Sequence, residues 1–447
     1  MTIGSIILWI AVATVIILLL IVKLKINPTI ALAIGAIVVG VACRLGLVTT
    51  ASTIGTGFGN LMTSLGLPVG FGVILGELLS QSGACRVIAS TIIRHAGPKA
   101  VPYAMALTGF ILSVPVFFDV AFIILVPLCI EFSRELKKPL PTTVVPTVAG
   151  TMAAHFLVPP TPVPLLIPDY FPSISMGKVI LLGIVIGVPV VAAVMKIYDL
   201  LIQHGWWTAA CVREEKVSTE ESEMPANAPS FAASLFPILL PVVLLVMSTV
   251  SSAMGVNNEV IGFLSNKNVA MMLGALAAYL VARKNMTGAQ MEAAANKAMA
   301  DAGVVLLVTG AGGSFAAVIS ATGLSGMLAE AMATSGAVSN LAILAVAYAI
   351  SFVFIVSLGS GTTASITSMT IMSGVLEATS ATINPYCVVL ACIAGTMSLH
   401  HFNDSGFWVV TNMSGFTPQG GLKTYSTALC IMSILLFTLA VVGSFIF

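Results

Sequence analysis

AGTMAAHF, residues 149–156, is written again as AGTMSLHHF at 394–402, once in each half of a 447-residue chain. Near-copies at half-length spacing imply two similar structural units facing each other across one site. Composition says what kind of unit this is. Hydrophobic residues make up 58% of the chain and charged residues 8%, against roughly 25% charged in a soluble globular protein. This is the composition of a membrane protein. Residues 3–22 form an uncharged apolar run, long enough to cross a hydrocarbon core about 30 Å thick. No basic residue precedes the run and no small-residue cleavage site follows it, so a retained span is expected and not a signal peptide. A net charge of +1 gives no basic face of the kind nucleic acid calls for. The seven cysteines lie mostly inside apolar runs with no CxxC pair, which reads as buried small hydrophobes.

Positive charge orients the chain, because Lys and Arg concentrate in cytoplasmic loops. Lys23 and Lys25 follow the first span, so the N-terminus is expected outside. Spans at about 28–43 and 66–93 then end near Arg44 and near Arg94 and Lys99. Residues 101–133 are apolar but interrupted by SVPVFFDV, with Arg94 and Lys99 before them and Arg134, Lys137 and Lys138 after. A segment with cationic residues at both ends enters and returns, which predicts a re-entrant helical hairpin. A broken helix at 143–167 and a span at 176–200 complete the first half. The charged stretch REEKVSTEESE begins a cytoplasmic linker.

The second half follows the same plan from the opposite side. Spans are expected at about 231–251, 258–282 and 303–320, then a hairpin over 340–378 with its tip at SLGSGTTAS, a broken helix at 386–410 and a last span at 425–446. GELLSQSGACRVIA at 76–89 is echoed by AAVISATGLSGMLA at 316–329. The predicted fold is therefore an all-α polytopic membrane protein of two inverted repeats, 1–205 and 231–447, joined by a linker at 206–230. Each repeat has five spans, one re-entrant hairpin and a broken helix. Both termini are expected on the periplasmic side, and this orientation places most of the 18 Lys and Arg in the cytoplasm.

Chemistry belongs where helices break, since unwound backbone at membrane depth persists only when buried or lining a wet cavity. The first tip carries Asp119. The second carries Ser360, Gly361, Thr362, Thr363 and Ser365. VPPTP (158–162) and FNDSG (402–406) follow the two AGTM phrases and bring Thr161, Asn403, Asp404 and Ser405. Helix N-termini meeting at one point form an anion site without arginine, and Arg86 is the one basic side chain expected well inside a span. A small, anionic or zwitterionic, hydroxyl-bearing solute fits such a site.

Plainer roles are open to the same residues. Gly-Ser-Gly-Thr-Thr also suits close helix packing, Asp119 and Asp404 also suit helix caps, and His155, His400 and His401 also suit bonds to backbone. Glu77 and Arg86 could pair. GTGFGN at 55–60 follows no strand, so it carries no nucleotide reading. No HExxH, GxSxG or GKS/GKT motif is present, and neither metal, cofactor nor enzymatic centre is expected.

PVFFDVAFIILVP, AHFLVPPTPVP, VTGAGGSFAAV, GSGTTAS and FNDSGFWVVT resemble the signature segments of the gluconate permease family, within the larger ion transporter superfamily. The likeness runs almost end to end. It implies a bacterial inner-membrane secondary transporter that imports gluconate or a related sugar acid with protons. The superfamily likeness implies a homodimer whose hairpins and broken helices move as a transport domain against a fixed scaffold. Two departures stand out: Thr161 occupies a position where family members often have histidine, and GSGTTAS replaces the common GSATVA. A sodium-coupled carboxylate carrier of the same architecture is the nearer rival, and a membrane-embedded enzyme the more distant one. For the coupling proton the candidates are Asp119, His155 and Asp404. Asp119 is favoured because an isolated carboxylate in hydrocarbon is costly when charged, whereas Asp404 stands at a helix start that would hold it ionised as a cap.

Overall fold

The computed structural model describes residues 1–213, 227–256, 258–334, 339–378 and 383–446, and all regular structure among them is helical. The acidic stretch 214–223 of the expected linker lies outside the described residues. The first half contains α1 (Ile3–Leu18), α2 (Pro28–Ala42), α3 (Leu47–Gln81), α4 (Ala84–Arg94), α5 (Val101–Leu112), α6 (Phe118–Glu135), α7 (Pro141–Leu157), α8 (Pro162–Tyr170) and α9 (Met176–Gln203). The second contains α10 (Phe231–Ala253), α11 (Glu259–Leu264), α12 (Lys267–Ala282), α13 (Gly288–Ala321), α14 (Leu324–Thr334), α15 (Asn340–Leu358), α16 (Gly361–Ala378), α17 (Pro385–Met397), α18 (Ser405–Met413), α19 (Pro418–Gly421) and α20 (Thr427–Ile446). Among the described residues, seven helical stretches are long and apolar enough to cross a membrane. Leu8, Leu181, Val243 and Leu280 are all about 60% exposed or more, a cost in water that a lipid surround removes. The chain is a multi-pass membrane protein.

Local sequence explains where the helices start and stop. Asn27, Ser175, Ser230, Asn266, Thr287, Ser339 and Asn384 each accept a bond from an amide in the first turn of the helix that follows, and Pro28 and Pro385 sit at the first helical position, where no N–H is needed. The echo between 76–89 and 316–329 turns out to be a helix, a glycine turn and a shorter helix. Gly83 (φ +79°) and Gly323 (φ +78°) occupy the left-handed region that favours glycine.

Helix order and length recur. The pair α3 and α4 has 35 and 11 residues, and α13 and α14 have 34 and 11. Likewise α6 and α16 have 18 each, and α8 and α18 have 9 each. Packing recurs too: α5 lies on α7 as α15 lies on α17, α2 on α13 as α12 on α3, and α8 on α16 as α18 on α6. The repeated AGTM phrase belongs to this pattern. A Cβ at Gly150 would collide with the Ala106 carbonyl of α5, and one at Gly395 with the Tyr348 carbonyl of α15. In each half this glycine lets the helix that precedes the break lie backbone to backbone on the first arm of the hairpin.

Three expected spans differ. The single crossing read at 66–93 is α3 and α4, split at Ser82–Gly83, and GTGFGN lies inside α3. The crossing read at 258–282 is split between α11 and α12. The span read at 303–320 starts at Gly288, because the alanine-rich, polar stretch 288–302 continues the helix. At about 1.5 Å per residue the helices α3 and α13 reach about 50 Å, beyond the hydrocarbon core. They pack along one another, with Gly57 against Gly313 and Ala317.

Candidate functional site

Helix α15 ends at Gly359 (φ +65°), and α16 begins two residues later. The tip between them is tied by its own side chains. Ser360 Oγ lies 3.0 Å from Thr363 Oγ1 and accepts from the Thr363 amide at 3.4 Å. The Gly361 and Thr362 amides belong to the first turn of α16, where helical N–H groups have no partner one turn earlier. This tip presses on both broken helices. A Cβ at Gly359 would strike the Asn403 carbonyl, and one at Gly361 would stand 3.2 Å from Phe156 Cε1 and 3.3 Å from His400 Cε1. Ser365, one turn further along α16, donates to Thr396 Oγ1 of the second AGTM phrase at 3.0 Å.

At the second break, between α17 and α18, Asp404 organises the backbone. Its Oδ1 accepts the Gly406 amide at 2.9 Å, the N-cap arrangement that its place before α18 implied. Its Oδ2 accepts the Tyr425 hydroxyl at 2.8 Å and lies 2.5 Å from His400 Nδ1. The Ser426 hydroxyl donates to the His400 carbonyl. Asp404, His400 and Tyr425 are all buried, and both oxygens of this carboxylate are engaged by protein groups. Ser405 is exposed. Asn403 donates from Nδ2 to the Val356 carbonyl at 2.9 Å.

The first hairpin reaches the same region through α6. Phe118 packs at a tilt against Tyr425, 5.7 Å from ring centre to ring centre, and lies against Gly406. Asp119, next in sequence, is half-buried and within electrostatic reach of Asp404. Among the described residues its carboxylate forms no ion pair. His155 is buried at the end of α7, edge-on to Phe156, and senses both Asp404 and His400. Thr161 stands a little apart. It bonds to the Val158 carbonyl at 2.9 Å and lines a small cavity with Val116 and Phe117 of the first tip and Gly72 of α3.

Among the described residues, three buried polar atoms in this assembly have no hydrogen-bond partner: His155 Nδ1, His400 Nε2 and Asn403 Oδ1. Buried polar atoms are nearly always satisfied. Other unpartnered atoms, among them Thr14 Oγ1 and Ser320 Oγ, are scattered through the chain, whereas these three stand beside one hairpin tip and two helix breaks, which makes this the candidate site for a polar ligand.

Tyr425 and the His400–Asp404 contact were not legible in the sequence. Tyr425 lies in a one-turn widening of the helix at Leu422–Ser426, and KTYS carries no motif. Glu77 has another partner besides any Arg86 could supply: its Oε1 lies 2.9 Å from Lys297 Nζ and 2.6 Å from Gln81 Nε2. This contact joins α3 to α13. No spacing rule could pair residues from different halves.

The sequence matches the GntP family permeases over residues 5–446. It is 29% identical over 435 residues to a high-affinity gluconate transporter of Escherichia coli K12, covering 95% of this chain and 96% of that one. It is also 29% identical over 438 residues to the Gnt-II system L-idonate transporter of the same organism, again covering 95% and 96%. Among solved structures it is similar in fold to the YdaH transporter of Alcanivorax borkumensis, with a TM-score of 0.62 at 15% identity over 93% of this chain and 99% of that one. A family match that runs from the first apolar helix to the last leaves one assignment: the chain belongs to the GntP permease family.

Proposed function

We propose that this permease imports gluconate or a closely related small sugar acid across the bacterial inner membrane by proton symport. The observation that carries the proposal is the set of three unpartnered buried atoms, His155 Nδ1, His400 Nε2 and Asn403 Oδ1, around a hairpin tip with free helical amides. Such a site offers hydrogen bonds to a carboxylate and to hydroxyls together. The gluconate and L-idonate transporters among its relatives support the same substrate class. In this reading the first-turn amides of Gly361 and Thr362, with the Ser360 and Thr363 hydroxyls, hold the carboxylate. Thr161, Asn403 and Ser405 border the rest of the substrate, Asp119 carries the proton, and His155 and Asp404 adjust it.

The recurrence of helix lengths and packing supports two halves, 1–205 and 231–447, of opposite orientation, with both termini periplasmic. The hairpins α5–α6 and α15–α16 and the two broken helices would then move together against a scaffold built on α3 and α13, in a homodimer. Single cysteines at Lys137 and Ser339, in a Cys430→Ser background, test the inversion: an impermeant thiol reagent should reach them from opposite sides. Labelling from one side would contradict it.

Transport itself is tested in proteoliposomes. An inwardly directed proton gradient is expected to concentrate labelled gluconate with no sodium present. Uptake that follows a sodium gradient and ignores pH would replace the proton with sodium, and no uptake under either gradient would overturn the assignment of substrate.

A further inference from the structure

A cavity of about 220 Å³ lies away from the helix breaks, at the base of the first hairpin. Its wall is made by the start of α5, the start of α7 and the last turns of α9, and it carries Lys99, Lys138 and Lys196 together with Tyr103, Thr142 and Asp199. The three lysines come from three separate segments. None of them forms an ion pair among the described residues, and the one acid on the wall is engaged, Asp199 Oδ2 accepting from Gln203 Nε2 at 2.9 Å. With three lysines against that one carboxylate, the cavity carries an excess of positive charge.

Two further features identify what neutralises it. The rim continues onto apolar side chains turned outward: Tyr103 and Leu107 are each 49% exposed and Leu200 is 54% exposed, on helices of a membrane protein. A charged cavity that opens beside such a surface suits a molecule with an anionic head and apolar chains. Arg94, Lys99, Arg134, Lys137 and Lys138 also flank the apolar helices α5 and α6 in sequence, the pattern of a segment whose two ends lie at a headgroup level. Basic pockets between spanning helices at that level bind phosphate-bearing headgroups.

We propose that this cavity is a binding site for the phosphate headgroup of an anionic membrane phospholipid, held by Lys99, Lys138 and Lys196 with its acyl chains lying along Tyr103 and Leu107. The site is independent of the transport site. The chemistry recognised is a phosphate group, and the other source of that chemistry is free inorganic phosphate.

Native mass spectrometry of the full chain in detergent tests the proposal, with titration by phosphatidylglycerol, phosphatidylcholine and inorganic phosphate. The wild type is expected to retain phosphatidylglycerol at lipid concentrations on the order of tenfold lower than phosphatidylcholine, as a few lysines at a membrane surface would give. The variant Lys99→Gln/Lys138→Gln/Lys196→Gln is expected to lose that preference, and the triple Lys→Arg variant to keep it. All three lysines are exposed, so neither variant threatens the fold. Equal retention of phosphatidylglycerol by the wild type and the glutamine variant would overturn the proposal. Lysine-dependent binding of inorganic phosphate without any preference for phosphatidylglycerol would overturn it equally, by assigning the cavity to a soluble ion.

Discussion

Asp119→Asn is expected to abolish concentrative uptake of gluconate under a pH gradient while leaving exchange of internal for external gluconate nearly intact. The asparagine is neutral at every pH and nearly the same shape, so it removes a titrating group and little else. Asp119 is suited to that role by what surrounds it. It is half-buried in the first turn of α6 and has no ion-pair partner among the described residues, whereas Asp404, the other acid of the candidate site, is bonded on both oxygens. Counterflow measured beside uphill uptake separates coupling from binding. An Asp119→Asn protein that still accumulates gluconate against its gradient would exclude Asp119 as the carrier, and the same pair of assays on His155→Ala would test the next candidate.

Asp404→Ala is expected to be more damaging, to stability as well as to transport. The substitution strands the Gly406 amide, the Tyr425 hydroxyl and the facing nitrogen of His400 at once. Each buried group left without its partner costs about 1–3 kcal/mol, and removing one member of a buried pair is typically worth about 3–5 kcal/mol. Loss of transport together with a clear drop in thermal stability is the expected outcome. Tyr425→Phe removes one bond of the three and should cost about one-third as much. If Asp404→Ala were as stable as the wild type, the carboxylate would not be the hub of this network.

How far the sequence reached depended on what kind of signal each element carried. The second hairpin was readable because its signals are local: Ser339 caps α15, Gly359 supplies the left-handed turn, and Gly361 opens α16. The helix breaks were readable for the same reason, proline at 159 and 160 and Asn-Asp-Ser-Gly at 403–406 being strong interruptions. The two longest helices extend beyond their apolar runs, and apolarity alone does not reveal their ends. Residues 288–302 are polar yet rich in alanine, and Gly55, Gly57 and Gly59 resemble a loop until α13 is seen packed against Gly57. Small residues in a membrane helix signal close packing as readily as a break.

The candidate site can be named in the sequence as a list of residues and not as an arrangement. Ser360, Thr363, Asn403 and Asp404 could be named from the breaks that contain them. That Asp404 would be claimed by His400 and Tyr425, leaving His400 Nε2 and His155 Nδ1 unpartnered, depends on helices from both halves meeting. Sequence spacing has no means of showing that. The same holds for Glu77 and Lys297, which join α3 to α13 across 220 residues of chain.

The central claim is that one hairpin tip and two broken helices form a single sugar-acid site, and the structure of the full chain with gluconate bound tests it most directly. The account predicts the carboxylate at the Gly361 and Thr362 amides, with substrate hydroxyls within hydrogen-bond distance of His155 Nδ1, His400 Nε2 and Asn403 Oδ1. Gluconate bound away from these residues, in the lysine-lined cavity or elsewhere, with the three atoms still unpartnered, would contradict it.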